Sequence, residues 1–327
     1  MSLLAVTDLH VDIGATPVVS GVSFELERGE RLGLIGESGS GKSITALALI
    51  GLLPEAAAAS GRVELDGLDL LTAGERRRCA IRGDRVGMIF QEPQTALNPV
   101  MRIGRQVAEV VSVHRGGSRR SALARALELL RRVELPDPGR VARAYPHELS
   151  GGQRQRVMVA MAIACSPSLV LADEPTTALD VTVQAQVLRL LGRLVAEEGS
   201  ALMLISHDLA VVSGMCDRIM VMYGGTIVEQ GPTAAVLAEP RHPYTLGLLA
   251  TSSAMSVNAD GGGELPAIPG SVPPPGGVPS GCVFRSRCAR ATARCTTSPP
   301  LEGAPHAFAC WHPVDADALA RTDGGGR

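Results

Sequence analysis

The stretch Gly36-Glu37-Ser38-Gly39-Ser40-Gly41-Lys42-Ser43 follows a short apolar run, Arg31 to Ile35, and precedes a strong helix former, Ile44 to Leu53, that ends before Pro54. A G-x-x-x-x-G-K-[ST] pattern between a strand and a helix is a phosphate cradle. Its glycines let successive backbone N–H groups turn inward on phosphate oxygens at a helix N-terminus. In this reading Lys42 neutralises the β- and γ-phosphates of a nucleoside triphosphate, and the Ser43 hydroxyl binds Mg²⁺. Lysine and arginine together number 31, yet Lys42 is the only lysine in the chain. A compact ammonium on a flexible stem suits this loop, where a planar guanidinium fits less well.

Outward from the loop, the first 30 residues read as extended segments, Leu3 to Ile13 and Val22 to Leu26, broken by Gly14 to Pro17 and by Arg28-Gly29. From Pro93 to about Ser166 helical periodicity takes over, in Ile103 to Val113 and Ser121 to Val133. After it, Leu169 to Ala172, Ala201 to Ile205 and Arg218 to Met222 are apolar runs separated by helices such as Val181 to Glu197, the alternation of a mostly parallel sheet. Beyond about Pro240 the chain turns Gly- and Pro-rich, notably Pro266 to Pro279, and reads as a separate extension on a semi-rigid linker.

A 327-residue chain that is 45% hydrophobic folds around an ordinary core. A net charge of −2 and 2% aromatics argue against nucleic acid as a partner. No run of 18 apolar residues and no basic, apolar leader is present at Met1 to Val11, so the expected location is cytoplasmic, with membrane association only through partners.

Two further motifs carry chemistry. Leu169 to Ala172 ends in Asp173 and Glu174: the first carboxylate holds Mg²⁺, directly or through water, and the second orients and deprotonates the attacking water. Leu149-Ser150-Gly151-Gly152-Gln153 precedes the helix former Arg154 to Ala164, with Ser150 as N-cap and Gly151 and Gly152 allowing close backbone approach. This is a second helix start suited to an anion.

With these residues in order, the chain resembles the nucleotide-binding subunits of ABC transporters over about residues 3 to 240. The resemblance implies an α/β P-loop NTPase fold, the ABC ATPase, with a RecA-like core, an antiparallel β subdomain and a helical subdomain. Residues 1–92 carry the β subdomain and phosphate loop, 93–166 the helical subdomain with the signature, 167–240 the rest of the core, and 241–327 a Cys-rich extension. It further implies that Gln91 is the Q-loop residue reaching Mg²⁺ and the γ-phosphate, that Ala178-Leu179-Asp180 is the D-loop, and that His207 is the switch histidine. ATP is then contacted by Gly36, Ser38, Gly39, Ser40, Gly41, Lys42, Ser43 and Thr45 of one chain and by Ser150, Gly151, Gly152, Gln153 and Asp180 of its dimer mate. The family often stacks an aromatic on adenine about two dozen residues before the loop; Ile13 stands nearest to that position.

Cys79, Cys165 and Cys216 are isolated and read as buried apolar residues, whereas Cys282, Cys288, Cys295 and Cys310 cluster, separated by five, six and fourteen residues. In a reducing compartment such a set is a metal or cluster site or free thiols, and four thiolates suit either a 4Fe–4S cluster or tetrahedral zinc. His306 is an alternative ligand or a surface residue. The stretch Pro240-Arg241-His242-Pro243-Tyr244-Thr245, Pro269-Gly270 and the Cys-rich tail are similar to the peptide-importer branch of the family. That branch implies a 4Fe–4S cluster on the four cysteines and import of dipeptides or oligopeptides, with nickel, opine or glutathione as alternatives. It also implies a second ATPase subunit, two membrane permeases and an extracytoplasmic binding protein as partners, with the chain on the cytoplasmic membrane face. A soluble ABC ATPase of DNA repair or translation is the rival reading.

Overall fold

The computed structural model describes residues 2–177, 179–257 and 268–315. In chain order, the elements begin with β1 (Leu4–Ile13), β2 (Thr16–Leu26), β3 (Arg31–Ile35), α1 (Lys42–Leu49), β4 (Ala57–Leu65), β5 (Leu68–Asp69) and α2 (Glu75–Ile81). They continue with β6 (Val86–Ile89), α3 (Pro93–Ala96), α4 (Ile103–Arg115), α5 (Arg119–Arg132), α6 (Pro138–Arg143), α7 (Gly151–Ala162), β7 (Leu169–Asp173), α8 (Val181–Glu198) and β8 (Ala201–Ser206). The last are α9 (Leu209–Met215), β9 (Arg218–Tyr223), β10 (Thr226–Pro232), α10 (Thr233–Ala238), α11 (Pro243–Val257) and β11 (Ala307–Phe308). No described helix is long and apolar enough to cross a membrane.

The chain divides into two compact units. One comprises residues up to Ala5, Glu25–Arg31 and Glu64–Ile205; the other comprises Val6–Phe24, Leu32–Val63 and Ser206 onward. In the first, β6, β7 and β8 run parallel in the order β8-β7-β6. Every residue of β7 and β8 is buried, which is the burial a strand has when both sheet faces are covered and explains the apolar runs Leu169 to Ala172 and Ala201 to Ile205. Helix α4 buries Ile103, Val107 and Val111, one helical stripe, among its core residues. Its Gln106 ties down the preceding turn. The Gln106 Oε1 accepts from Asn98 N–H at 2.9 Å, and Nε2 donates to the carbonyls of Asn98 and Met101 at 3.0 and 2.8 Å.

In the second unit β3 pairs parallel with β9, β9 antiparallel with β10, and β10 with β11. A second sheet there has the order β2-β1-β4, and burial along the end of β2 alternates strictly from residue to residue, as in a sheet covered on one face only. The tail was expected beyond a linker. Instead, its Tyr244, Cys282, Phe284 and Cys295 share one buried cluster with Val221 and Tyr223 of β9 and Val228 of β10. Of the Pro266 to Pro279 run, residues 266 and 267 lie outside the described residues.

Candidate nucleotide site

The second unit holds the phosphate loop. Strand β3 is buried from Leu32 to Ile35 and delivers the chain to Gly36, where an added Cβ would lie 2.3 Å from the Met222 carbonyl oxygen. The loop ends at Gly41, the N-cap of α1, at φ 102, a backbone region that favours glycine. Because this N-cap has no side chain, no side-chain hydrogen bond closes the start of α1. Lys42 is only 6% exposed, and its ammonium donates to the carbonyls of Gly36 and Glu37 at 2.6 and 2.9 Å, which compensates the burial of its charge. Ser40 is wholly buried, and its carbonyl accepts from Gly225 N–H at 3.1 Å, fastening the loop to the β9–β10 turn. Thr45 turns its hydroxyl back onto the Gly41 carbonyl at 3.0 Å. Ser38 and Gly39 are exposed, and Ser43 sits in the first turn of α1. His207 directly follows β8 and is exposed; the next residue, Asp208, caps α9 by accepting from Ala210 and Val211 N–H.

The first unit holds the carboxylates and the signature. Asp173 closes β7 and is 5% exposed. Glu174 has φ 48, in the left-handed region that L residues adopt at a cost, and its N–H donates to the Ile205 carbonyl at 2.9 Å. Its carboxylate accepts from the Thr177 hydroxyl at 3.1 Å. Gln91 is exposed, two residues beyond the end of β6. At the signature, Ser150 Oγ accepts from Gln153 N–H at 3.3 Å while Gln153 Oε1 accepts from Ser150 N–H at 3.0 Å, a reciprocal capping box on α7. Arg154 Nε donates to the carbonyls of Pro146 and Leu149, holding the approach to that turn. Ser150 to Gln153 line a cavity of about 430 Å³ together with Leu179 and Asp180, the end of the expected D-loop; Ala178 lies outside the described residues. Asp180 caps α8, accepting from Val183 N–H at 3.0 Å.

Comparison with known proteins bears on the whole chain. Residues 19–177 match the ABC transporter family, and residues 228–295 match the oligopeptide/dipeptide transporter C-terminal region. The oligopeptide transport ATP-binding protein OppD of Salmonella typhimurium is 45% identical over 320 residues, 96% of this chain and 94% of that one. The chain belongs to the ABC transporter ATP-binding proteins, in their oligopeptide/dipeptide branch. The oligopeptide transport ATP-binding protein AppD of Bacillus subtilis is 47% identical over 286 residues, 87% of this chain and 86% of that one. Among solved structures, a dimeric ATP-binding cassette in a post-hydrolysis state with ADP and Pi is 29% identical. It has a TM-score of 0.63 and covers 70% of this chain and 98% of its own. As a member of this family the chain is an ATP-binding, ATP-hydrolysing cassette.

The tail of this ABC ATPase corrects two expectations. Among the described residues, no three or more His, Cys, Asp or Glu side chains converge to hold a metal ion, so the metal or cluster site expected on Cys282, Cys288, Cys295 and Cys310 is not supported by their placement. None of the four is in a disulfide. Burial, together with the other three sulfurs, pushes the Cys310 thiol up to about 11. His306 is neither ligand nor surface residue: its Nε2 lies 2.6 Å from the carboxylate of Glu229, which is wholly buried and also accepts from Arg241 and His242 N–H.

Sequence reading missed a set of residues around Glu37. Its carboxylate is paired with Arg287, and its N–H with the Tyr244 hydroxyl. Tyr244 lies in a stretch similar to the peptide-importer branch, and no local pattern announces a contact spanning 250 residues.

Proposed function

We propose that this chain is the ATP-hydrolysing motor subunit of an importer for dipeptides or oligopeptides. The observation that carries this is the presence, in one chain, of an ABC cassette followed by the oligopeptide/dipeptide C-terminal region. The names of the relatives, both oligopeptide transport ATP-binding proteins, support it. A second ATPase subunit, two permeases and an external binding protein are the partners this function requires, and the chain works on the cytoplasmic membrane face.

In this reading the backbone of Gly36 to Ser43 cradles the ATP phosphates, Lys42 leaves its two carbonyls to neutralise them, and Ser43, Gln91 and Asp173 hold Mg²⁺. Glu174 deprotonates the attacking water, and its left-handed backbone fixes the carboxylate's direction. His207 senses the γ-phosphate, and Ser150 to Gln153 cap the nucleotide held by a dimer mate. Thr45 and Asp180 act by holding helix ends, as their hydrogen bonds suggest.

The four tail cysteines are the proposed ligands of a 4Fe–4S cluster, whose Cys₄ ligation spans a larger volume than a single ion. Cys282 and Cys295 lie in one buried cluster with Cys288 packed against it, which supports this grouping. Iron and sulfide analysis of anaerobically prepared protein checks it, and absence of both removes the cluster.

The functional proposal is tested by native purification followed by uptake measurements in vesicles. Co-purification with two polytopic membrane proteins and ATP-dependent uptake of short peptides is the expected result. Recovery with ribosomes or nucleic acid overturns it.

A further inference from the structure

Glu37, the second residue of the phosphate loop, is held at three atoms groups at once. Its N–H donates to the Tyr244 hydroxyl at 2.8 Å, and its carbonyl accepts from the Lys42 ammonium at 2.9 Å. Its carboxylate accepts from both terminal nitrogens of Arg287, at 2.6 and 3.2 Å. Two of the three holds come from the C-terminal segment.

Arg287 has little freedom of its own. Its side chain is 4% exposed; Nε donates to the Pro269 carbonyl at 2.8 Å, Nη2 also to Ile268 at 3.3 Å, and Nη1 also to the Tyr223 hydroxyl at 3.4 Å. The guanidinium lies over the Tyr223 and Phe284 rings, 5.7 and 6.0 Å from their centroids. A planar fork engaged along its whole edge specifies where its partner carboxylate sits. Tyr244 is equally confined, wholly buried and edge-on to Tyr223 at 4.7 Å.

We infer that Arg287 and Tyr244 are positioning residues for ATP, acting through Glu37 to fix the path of the phosphate loop. The Glu37 carbonyl is one of the two that hold Lys42, so a displaced Glu37 displaces the ammonium. The same displacement re-aims the backbone N–H groups that follow it. Phosphate cradles depend on such aim, because a charge-assisted hydrogen bond is strong only while donor and acceptor stay close and aligned. The C-terminal segment is on this account part of the nucleotide site. The inference rests on ATP binding at the loop, which Lys42→Ala tests separately.

The experiment uses the purified full-length chain, titrated with a fluorescent ATP analogue in the presence of Mg²⁺, and the assembled transporter for KM and kcat. Tyr244→Phe keeps the ring and removes one hydroxyl; it is expected to weaken binding about threefold to tenfold, the range of one hydrogen bond. Glu37→Gln and Arg287→Met are expected to weaken it about tenfold or more, and Arg287→Lys to recover part of the loss. The double variant Glu37→Gln/Arg287→Met should bind no worse than the weaker single variant, because both remove the same link. KM for ATP should rise in proportion to the lost affinity, by more than kcat at saturating ATP falls. A link that merely fastens the tail predicts unchanged affinity and KM in variants that fold. Should Arg287→Met fail to fold, wild-type affinity in both Tyr244→Phe and Glu37→Gln overturns the proposal. Wild-type affinity in Lys42→Ala would instead refute the loop as the ATP site.

Discussion

The two helix starts proposed to face nucleotide are finished in opposite ways. At α7 the chain closes its own end: Ser150 and Gln153 exchange hydrogen bonds, so the signature turn is a self-contained unit of four residues. At α1 the N-cap is a glycine with no side chain, and the loop before it is fastened from outside, by Gly225, Tyr244 and Arg287. A site that must wrap phosphate keeps its donors uncommitted to side-chain caps, and rigidity is then supplied from behind. A turn whose proposed role is to cap a nucleotide bound elsewhere can be internally satisfied.

The contrast is tested most severely by separating chemistry from binding. Glu174→Gln leaves both helix starts intact and is expected to bind ATP normally while losing about 10²- to 10⁴-fold in turnover, measured as phosphate release. Normal turnover would remove Glu174 as the base. Lys42→Ala strikes the externally fastened loop; affinity for ATP should drop about tenfold to a hundredfold, read by equilibrium titration.

The support behind the loop has its own pH signature. His242 is 1% exposed, its Nδ1 accepts from Tyr244 N–H at 3.1 Å, and its own N–H donates to the Glu229 carboxylate at 2.9 Å. Burial pulls its pKa down from 6.5 to about 3. Between those values the unfolded chain holds the proton and the folded chain does not, so stability from this group is lost as pH falls below 6.5. The slope is at most about 1.4 kcal/mol per pH unit. Thermal melts between pH 7 and 5 should show this decline, and His242→Gln should flatten it. The smallest effect belongs to the self-capped turn: Ser150→Ala should cost about 1 kcal/mol of stability in denaturant titrations. An effect confined to ATP affinity in the isolated chain would contradict the capping role.

The phosphate loop, the Asp173-Glu174 strand end and the signature were legible because each is a run of neighbours whose chemistry is set by local geometry. The Ser-x-x-Gln spacing is that of a capping box, with Ser150 as the cap. What sequence could not show is what closes over those runs. The Pro- and Gly-rich composition before the tail predicts a semi-rigid linker, since it reports the backbone's own preferences. The structure has Phe284, Cys282 and Arg287 anchoring the residues beyond it to β9, β10 and the loop. His306 looked like a surface residue for the same reason; its partner, Glu229, is distant in sequence and wholly buried. The left-handed backbone of Glu174 is a further feature of tertiary packing, since nothing in Ala172-Asp173-Glu174 requires it.

The bond between Arg287 and Glu37 also imposes an order in time. A chain leaves the ribosome from its N-terminus at about 5 to 20 residues per second. The loop therefore emerges about 12 to 50 seconds before the arginine 250 residues downstream that fastens it. For that interval the phosphate loop of each new molecule exists without this bond, and the bond can close only once residue 287 has been made.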